Sequence, residues 1–451
     1  MQFFDEVRIM KLNRWQTIRV GFAFLAISAF WQMYNNIIPL VLTNTFQMNE
    51  TYSGMIMAMD NVLALFLLPI FGGISDRCTN PMGRRKPFIM YGTIASVILM
   101  LIIPILDNRY AASPAKGLEI AFIIVLMMLL VAMGTYRSPA VALMPDVTPK
   151  PLRSAGNAII NLMGATGAIL YLIIAAVLYS SKRTEGLAHV NYLPIFAIVG
   201  CIMILAMLVV LFTVDEVKLT GQVREYEAAH PEENLAEETA GGSGKLPAAV
   251  RRSLIFLLLS VALWYISYNS VETWFTTYAN RMWGMSLGSA SLCLSIGMVG
   301  AICTYIPAGI MAEKIGRKKT ILGGVVLMIA AFAIMFLLSL RMDHFSPILY
   351  VLFIMVGIGW AAINVNSFPM VVEMCSSSDI GKFTGYYYTF SMAAQIVTPV
   401  LAGWFLNHVG YKSLFPYAAV AAIAAFLTMS AVRHGDTAFT AARGLDAFED
   451  L

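Results

Sequence analysis

Charged residues are scarce in this chain of 451 residues, and that scarcity excludes a soluble globular protein. Only 12% of the residues are Asp, Glu, Lys or Arg, whereas 59% are hydrophobic and the mean hydropathy is +0.73. Soluble domains contain about 25% charged residues. The composition therefore indicates an integral membrane protein with an apolar surface that faces lipid.

Cysteine and histidine are also sparse, with five of each, and neither shows the spacing of a metal site or a disulfide framework. The phosphate-binding pattern Gly-x-x-x-x-Gly-Lys-Ser/Thr does not occur, so nothing in the sequence indicates ATP hydrolysis. We therefore predict a protein that is not an enzyme and that needs no metal and no cofactor.

Twelve apolar runs of about 20 residues, the length that crosses a bilayer, alternate with short polar segments. They lie at 20–42, 52–74, 88–106, 119–144, 156–179, 193–213, 253–277, 289–312, 320–340, 347–372, 383–406 and 414–432. Residues 215–250 are rich in Glu, Ala and Gly and predict a solvated cytoplasmic linker with room for a short surface helix. The predicted fold is all-α, with an N-terminal six-helix bundle at 1–214 and a C-terminal six-helix bundle with a short tail at 251–451.

Basic residues fall mostly on one side of these runs. If both termini are cytoplasmic, the inner segments carry 22 of the 30 Lys and Arg residues, the outer loops carry seven, and Arg137 lies within a span. Because Lys and Arg are retained on the cytoplasmic side, this distribution predicts cytoplasmic termini. It also explains the net charge of +4 without nucleic-acid binding. The expected location is the plasma membrane.

One polar loop motif occurs twice, since Gly309 follows Gly72 by 237 residues and starts a similar segment. The first copy is Gly72-Gly73-Ile74-Ser75-Asp76-Arg77 followed by Gly83-Arg84-Arg85-Lys86, and the second is Gly309-Ile310-Met311-Ala312-Glu313-Lys314 followed by Gly316-Arg317-Lys318-Lys319. Each copy follows a long apolar run. A repeat of this length between hydrophobic spans is typical of transporters built from two pseudo-symmetric halves.

The repeated motif resembles the signature of the major facilitator superfamily. The stretch from Ser75 to Ile89 resembles more closely the same loop in sucrose/proton symporters and their bacterial relatives, and it shares part of its sequence with melibiose-type carriers, the glycoside-pentoside-hexuronide cation symporters. The resemblance implies two six-helix bundles that give alternating access to a central site. It also implies a glycoside or disaccharide as cargo and a monomer as the working unit.

Charged residues around the two motif copies are candidates for a conformational latch. Asp146 and Glu373, at the inner ends of spans four and ten, are predicted partners for the motif's basic side chains. The alternative is that the charges only fix topology, which explains the basic residues but not the repeated acids. The predicted gating residues are Asp76, Arg77, Arg84, Arg85, Asp146, Glu313, Arg317 and Glu373.

Three charged residues lie inside spans, where charge is costly and marks a functional candidate. Asp60 lies about 24 Å along span two from Asp76, and Arg137 lies about 13 Å into span four. We predict a switchable pair in which protonation of Asp60 is linked to sugar binding. The alternatives are a purely structural ion pair or hydrogen bonds from Arg137 to sugar hydroxyls. Glu272, toward the outer end of span seven, is predicted either to take part in substrate or proton binding or to be solvated.

Span four departs from the pattern of the plant-type symporters. Aligned on their motif, Val141 occupies the place of an arginine, and Arg137 lies one turn away on the same helical face. Those symporters also carry an acid inside span four that is implicated in proton coupling, whereas residues 121–144 of this chain contain no carboxylate. Asp60 is therefore the predicted proton-coupling residue, with Glu272 as a second candidate.

Amides and aromatic rings recur in several spans. Amides donate and accept hydrogen bonds at once, and aromatic rings cover the apolar face of a sugar, so the mixture suits an uncharged polyol. Hydrogen bonding between helices is the alternative for any single residue. The predicted substrate-binding residues are Gln32, Asn35, Asn36, Asn61, Arg137, Asn157, Asn161, Tyr268, Asn269, Glu272, Asn364, Asn366, Tyr387 and Gln395.

The sequence thus predicts a secondary active transporter for uptake of a disaccharide or glucoside, coupled to a cation, with the proton favoured over sodium. One alternative is an exporter or exchanger of another small solute, such as a drug or an organic anion bound by Arg137. A second is a membrane receptor that binds sugar without moving it. The expected partners are a small-molecule sugar and the lipid bilayer.

Overall fold

Long apolar runs fold as helices in a membrane because a helix satisfies every backbone N–H and C=O within its own segment. The computed structural model of this protein describes residues 13–149, 153–229, 247–342, 344–374 and 380–435. Twelve helices in it are long and apolar enough to cross a membrane, which confirms the predicted number and the all-α class. The spanning helices are α1 (Arg14–Leu40), α2 (Glu50–Asp76), α3 (Lys86–Ala112), α4 (Lys116–Asp146), α5 (Arg153–Leu178), α7 (Leu193–Thr213), α9 (Ala248–Trp283), α10 (Leu287–Ile315), α11 (Arg317–Arg341), α12 (Ile348–Val372), α13 (Ile380–His408) and α14 (Leu414–Ser430).

Short elements connect some of these helices. Helix α6 (Ser181–Thr184) lies between α5 and α7, and α8 (Glu216–Ala229) begins the predicted linker. The turn after α1 is π-helical over Val41–Thr45. Residues 230–246 of the predicted linker lie outside the described residues, so the domain boundaries stay a prediction.

Side-chain caps mark where the first two helices begin. The side-chain oxygen of Asn13 accepts a hydrogen bond from the backbone N–H of Gln16 at 3.1 Å. Asn49 accepts in the same way from the N–H of Tyr52 at 2.9 Å. Such caps satisfy backbone donors that the first turn of a helix leaves free. They define the starts of α1 and α2, the helices that carry Asn35 and Asp60.

Two separate apolar cores divide the bundle into halves. Buried side chains of α1 to α5 and α7, together with Leu287 at the start of α10, form one core, which includes Phe30 and Phe122. Buried side chains of α9 to α14 form the other, which includes Trp264 and Phe332. Each half therefore buries its own apolar surface, and the space between the halves is free to hold polar groups.

The two halves are joined at one end of the bundle, where α2 and α10 begin. Among the described residues, every hydrogen bond between the two halves lies at this end, which we call the closed end. These bonds link Tyr179 to Gly288, Asn36 to Thr276, Thr43 to Arg281, Asn44 to Asn280, Ser181 to Ser286 and Ser289, and Glu50 to Tyr411. The opposite end carries both motif loops, and we call it the motif end.

Glycine lets α2 and α13 touch backbone to backbone at the closed end. A Cβ atom added to Gly54 would lie 2.2 Å from the carbonyl oxygen of Pro399. One added to Gly403 would lie 2.3 Å from the carbonyl oxygen of Glu50. Close helix contacts in membranes commonly depend on such small residues. Here they seal the space between the halves on one side.

Candidate substrate cavity and motif loops

A polar cavity of about 230 Å³ lies between the two halves, on the motif side of the glycine contacts. Five helices supply its walls, namely α1, α2, α4, α9 and α13. The lining residues are Trp31, Asn35, Met57, Asp60, Asn61, Arg137, Asn269, Glu272, Thr273, Gln395 and Pro399. The fold therefore gathers the three charged residues found inside spans and four of the predicted amides around one space.

Asp60 is held by its neighbour in the chain rather than by a cation. One carboxylate oxygen accepts hydrogen bonds from the backbone N–H of Asn61 at 2.6 Å and from its Nδ2 at 2.8 Å. In the described part of the chain, Asp60 and Arg137 form no ion pair, although both line the cavity. The two side chains are therefore not directly paired in this conformation, and the switchable pair stays a prediction. The carboxylate remains available to a proton or a ligand.

Arg137 lies over an aromatic ring. Its guanidinium carbon is 5.5 Å from the centre of the Trp31 ring, at cation–π distance. This contact orients the guanidinium without satisfying its N–H groups. The N–H groups of Arg137 can therefore donate hydrogen bonds to a ligand in the cavity, and the Trp31 ring lies next to them.

Glu272 shares the cavity with Asp60. It lies eleven residues before the end of α9, as Asp60 lies ten residues after the start of α2, so each is about 15 Å from the closed end. Glu272 is half-buried in the cavity wall, which argues against the alternative of a fully solvated position at the outer face. With all three groups ionised, two carboxylates face one guanidinium, and the cavity is net negative.

Two nitrogen donors in the lining have no protein partner. In the described residues, neither Trp31 Nε1 nor Asn269 Nδ2 makes a hydrogen bond. Buried polar atoms without a partner are uncommon because each one costs free energy. Both donors line the cavity. They are therefore suited to bind hydroxyl oxygens of a ligand.

An aromatic platform adjoins the cavity beside Glu272. The rings of Tyr268 and Trp360 stack with centres 4.1 Å apart and planes 10° from parallel. Tyr265 meets the same Trp360 ring edge to face at 5.1 Å. Tyr268 and Glu272 line a small pocket next to the main cavity. Of these residues, Tyr268 belongs to the predicted set.

The remaining predicted substrate-binding residues lie outside the cavity lining. Asn36 Nδ2 donates to the carbonyl oxygen of Gln32 at 2.7 Å, and both residues are buried. Asn366 Nδ2 donates to the carbonyl of Ala362 at 2.8 Å, so both amides bond to their own helix. Their role in binding stays a prediction.

Four further members of that set also lie outside the lining. Tyr387 shares a hydrogen bond with Ser367 at 2.9 Å, and Asn364 lies beside Tyr305. Asn161 is exposed on α5, and the side chain of Asn157 lies outside the described residues. None of these four lines the cavity in this conformation.

The first motif loop carries the predicted charge network. Arg84 Nη2 lies 2.8 Å from one oxygen of Asp146, and Arg85 Nε lies 2.7 Å from the other. Arg85 also pairs with Asp76 and donates to Ser75. Burial lowers the pKa of Arg85, but the hydrogen bonds and charges of Asp146 and Asp76 outweigh it and raise that pKa overall. Arg85 therefore stays charged.

The second motif loop has the matching pair. Arg317 forms an ion pair with Glu373, as Arg84 and Arg85 do with Asp146. Arg77 is exposed, and the side chain of Glu313 lies outside the described residues. The ion pairs of the first loop lie within the N-terminal half, and the ion pair of the second loop lies within the C-terminal half. A gating role for these residues stays a prediction.

Glu216 is an anchor of the first motif loop that the sequence did not reveal. Its carboxylate accepts hydrogen bonds from the backbone N–H groups of Arg84, Arg85 and Lys86 at 2.8, 2.9 and 3.0 Å. Only 2% of Glu216 is exposed. A carboxylate at a helix N-terminus satisfies free donors and the helix dipole together. Glu216 lies 130 residues after this site, so no local pattern marks it.

Among the described residues, no three His, Cys, Asp or Glu side chains lie close enough together to hold a metal ion. The cavity itself holds two carboxylates, one guanidinium and amides. This set can bind a proton and a hydroxylated solute by hydrogen bonds.

A bundle of twelve spanning helices around a polar cavity between two halves is the architecture of a membrane transporter rather than of an enzyme. The family profile of the Major Facilitator Superfamily matches residues 20–286 and 279–444. The chain therefore belongs to this superfamily, and the resemblance read from its two motif loops is confirmed.

Curated relatives include sucrose transport proteins. Sucrose transport protein SUC3 of Arabidopsis thaliana is 31% identical over 138 residues, which cover 28% of this chain and 23% of that protein. Sucrose transport protein SUC4 of the same plant is 34% identical over 114 residues, with 24% and 22% covered. Chloramphenicol resistance protein CraA of Acinetobacter baumannii is 25% identical over 128 residues, with 28% and 30% covered. The matched part thus spans under a quarter of each sucrose transport protein.

Solved structures share the whole fold at low identity. A D-xylose-proton symporter superposes with a TM-score of 0.62 and 12% identity, over 94% of this chain and 98% of that chain. A peptide transporter POT in complex with sulfate gives 0.68 and 14%, over 92% and 94%. A bacterial homologue of the iron transporter ferroportin gives 0.66 and 13%, over 94% and 100%. At these identities, the likeness concerns the fold alone.

Proposed function

We propose that this transporter takes up a neutral disaccharide or glucoside together with a cation, and that the cation is a proton. The observation that carries the proposal is the cavity in which Asp60 and Glu272 face Arg137 and four amides. The sucrose transport proteins among the relatives support the choice of sugar.

Sugar binding follows from the chemistry of the lining. The free donors Trp31 Nε1 and Asn269 Nδ2 fit hydroxyl oxygens, and the amides of Asn35 and Gln395 can both donate and accept. Aromatic rings pack against the apolar face of a pyranose. A solute rich in hydroxyl groups and free of charge satisfies these groups best.

Cation coupling follows from the charge of the cavity. Two carboxylates and one guanidinium leave a net negative charge among membrane-spanning helices, where an uncompensated charge is expensive. A proton on Asp60 removes that charge. A transporter that has bound both the proton and the sugar then passes more easily through the occluded state, in which both ends are closed, than one with a charged cavity.

The predicted orientation gives each end of the bundle a role. With cytoplasmic termini, the motif end faces the cytoplasm and the closed end faces the outside of the plasma membrane. The conformation with the halves joined only at the closed end is then the inward-facing state. The ion pairs of Asp146 and Glu373 would rearrange when the motif end closes. We expect the monomer to carry out this cycle.

Uptake into proteoliposomes tests the proposal. A panel of radiolabelled disaccharides and glucosides is offered with an inward proton gradient, an inward sodium gradient, or neither. Accumulation of one sugar only with the proton gradient is the expected result. Accumulation driven by the sodium gradient would instead identify sodium as the coupled cation. No accumulation of any sugar would overturn the proposal.

Export of a small organic anion is the second candidate. Arg137 favours it because its guanidinium forms no ion pair with a carboxylate within 4 Å in the described residues, although Asp60 lies near enough to interact with its charge, and because it lies over the Trp31 ring. The relative named for chloramphenicol resistance is consistent with export of a drug. Inhibition of sugar binding by neutral sugars but not by organic anions would argue against this candidate. Binding without any transport would instead indicate a receptor.

A further inference from the structure

One carboxylate at the closed end is buried without a place in the transport cavity. Asp107 of α3 is 0% exposed, and neither of its oxygens makes a hydrogen bond within the described residues. Thr45 of the π-helical turn lies beside it. The nearest group that can carry positive charge is His189, with Nε2 at 3.4 Å from Asp107 Oδ2.

His189 belongs to residues 179–192, which we call the strap. The strap is tied to α3, because His189 Nε2 also lies 3.0 Å from Asn108 Oδ1, and Asn108 Nδ2 donates to Asn191 Oδ1 at 2.8 Å. Tyr179 OH closes the strap on itself by donating to the carbonyl of Asn191 at 3.0 Å. Asp107 therefore lies under a segment that is held down by polar contacts.

The same strap is tied to the other half of the protein. The backbone N–H of Gly288, at the start of α10, donates to the carbonyl of Tyr179 at 2.9 Å. Ser181 Oγ lies 3.0 Å from Ser289 Oγ. The strap is thus part of the closure between the halves. Opening the closed end has to break these contacts with α10 or pull the strap away from Asp107.

Water can reach His189 while Asp107 stays dry. His189 lines a cavity of about 540 Å³ at the closed end, between the strap, α3 and α9, and 27% of its side chain is exposed. A protonatable ring at the surface next to a buried carboxylate is a route by which the carboxylate gains a proton or a counter-charge.

Other charged and titratable groups around the pair are engaged elsewhere or are solvated. Arg281 of α9 lines the same cavity, but it donates to the carbonyl of Thr43 at 2.7 Å and lies beside Tyr411. Burial lowers the pKa of His189. The other titratable groups on the surrounding elements, α4 included, are Arg109, Tyr110, Lys116, Glu119, Tyr179, Lys182, Arg183, Glu185 and Tyr192. Arg109, Lys116, Lys182, Arg183 and Glu185 are exposed, and the buried Tyr192 lies near enough to Asp107 to interact with its charge.

We propose that Asp107 and His189 form a second proton-binding site, separate from the central cavity, and that the shared proton holds the strap down and stabilises the closed end. A buried carboxylate with no counter-charge destabilises the docked strap, whereas one proton on the pair removes the cost. When the strap lifts, water solvates both groups and the proton is held less tightly. By linkage, acid on this side of the membrane favours closure.

Distance measurements between spin labels test this site without any transport. Labels are placed at Leu187→Cys on the strap and Val409→Cys in the second half, two exposed positions at the closed end, after replacement of the native cysteines. The background carries Asp60→Asn and Glu272→Gln, so the central cavity cannot titrate. No sugar is present, and the pH is stepped from 8 to 5.

The expected result is a rise of at least threefold in the ratio of closed to open populations as the pH falls. Asp107→Asn should abolish the rise, because it removes the buried carboxylate that takes up the proton on closure. His189→Gln should move the rise to a different pH, because Asp107 then binds the proton without the imidazole beside it. His408→Gln, at an exposed histidine of the same end, should keep the rise unchanged. A pH effect that survives Asp107→Asn, a rise at an unchanged pH in His189→Gln, or no pH effect in the background itself, would overturn the proposal and leave the sugar-transport proposal untouched.

Discussion

At the scale of single residues, the cavity is distinguished by groups that the protein leaves without a partner. Trp31 and Asn269 each have a free nitrogen donor, and Asp60 has no cation bonded to it within the described residues. Such groups are costly in an apolar environment unless a ligand satisfies them. They are therefore the residues at which substitution should change transport most.

Asp60→Asn tests the coupling role. The substitution keeps the shape and removes the titrating carboxylate, so the cavity can no longer change charge with the proton. We predict that sugar exchange across the membrane persists while accumulation driven by a proton gradient is lost. Counterflow measures the exchange, and gradient-driven uptake in the same proteoliposomes measures the accumulation. Glu225→Gln, at an exposed acid of α8, is the control. Full accumulation by Asp60→Asn would contradict the role.

Trp31→Phe tests the binding donor. An aromatic ring remains, but the N–H is removed together with the five-membered part of the indole. The loss of about 1 kcal/mol for the hydrogen bond alone should weaken sugar affinity about fivefold, and the smaller ring should add to that loss. Sugar binding measured by calorimetry in detergent gives this ratio. Trp15→Phe, in which the native ring is 73% exposed, should leave affinity unchanged. Equal affinity in both variants would remove Trp31 from the site.

Sequence reasoning found the charged residues of the cavity because charge inside an apolar run is visible in one dimension. It did not separate Asn35, which lines the cavity, from Asn36, which bonds to its own helix. Adjacent residues on a helix point about 100° apart, and the direction depends on packing that the sequence does not specify. The third apolar run was predicted to end at residue 106, just before Asp107, whereas α3 continues to Ala112.

At the scale of elements, helix α8 is held against the rest of the transporter and is not a free linker. Glu216, its first residue, caps the N-terminus of α3 and so fixes the loop that carries Arg84 and Arg85. Gly83 of that loop has φ of +112°, and a Cβ there would lie 2.3 Å from the Glu216 carboxylate. The loop, the helix and the cap therefore form one unit.

Glu216→Ala tests this unit. Removing the cap leaves backbone donors at the start of α3 unsatisfied, which should cost about 1–2 kcal/mol. We predict a melting temperature lower by a few degrees in detergent, with Glu216→Gln in between because its amide oxygen still accepts. Glu225→Ala on the exposed face of α8 serves as the matched control. Identical melting of the two alanine variants would show that the cap is unimportant.

Gly54→Ala tests the contact between α2 and α13. The added methyl group would collide with the carbonyl of Pro399, so the conformation with the closed end shut should be disfavoured. We predict that a cysteine at Thr273, in the cavity wall, reacts several-fold faster with an impermeant thiol reagent added from the closed side. Gly323→Ala, where no atom lies within 4 Å, is the control. Equal labelling rates would contradict the prediction.

At the scale of the whole molecule, twelve spans in two halves were predictable from the length and number of apolar runs. The repeat of the motif loop showed that the halves are related. Which end is closed was not predictable, because it depends on contacts such as Gly54 with Pro399 that join distant segments. Glu216 and the pair of Asp107 with His189 were missed for the same reason.

The central claim is that sugar and proton move together through the cavity of Asp60, Glu272 and Arg137. The most direct measurement is the internal pH of proteoliposomes, followed with a trapped pH-sensitive dye when the transported sugar is added outside. Internal acidification on addition of sugar, present in the native protein and absent in Asp60→Asn, is the predicted result. Sugar entry with no proton movement in the native protein would contradict the account.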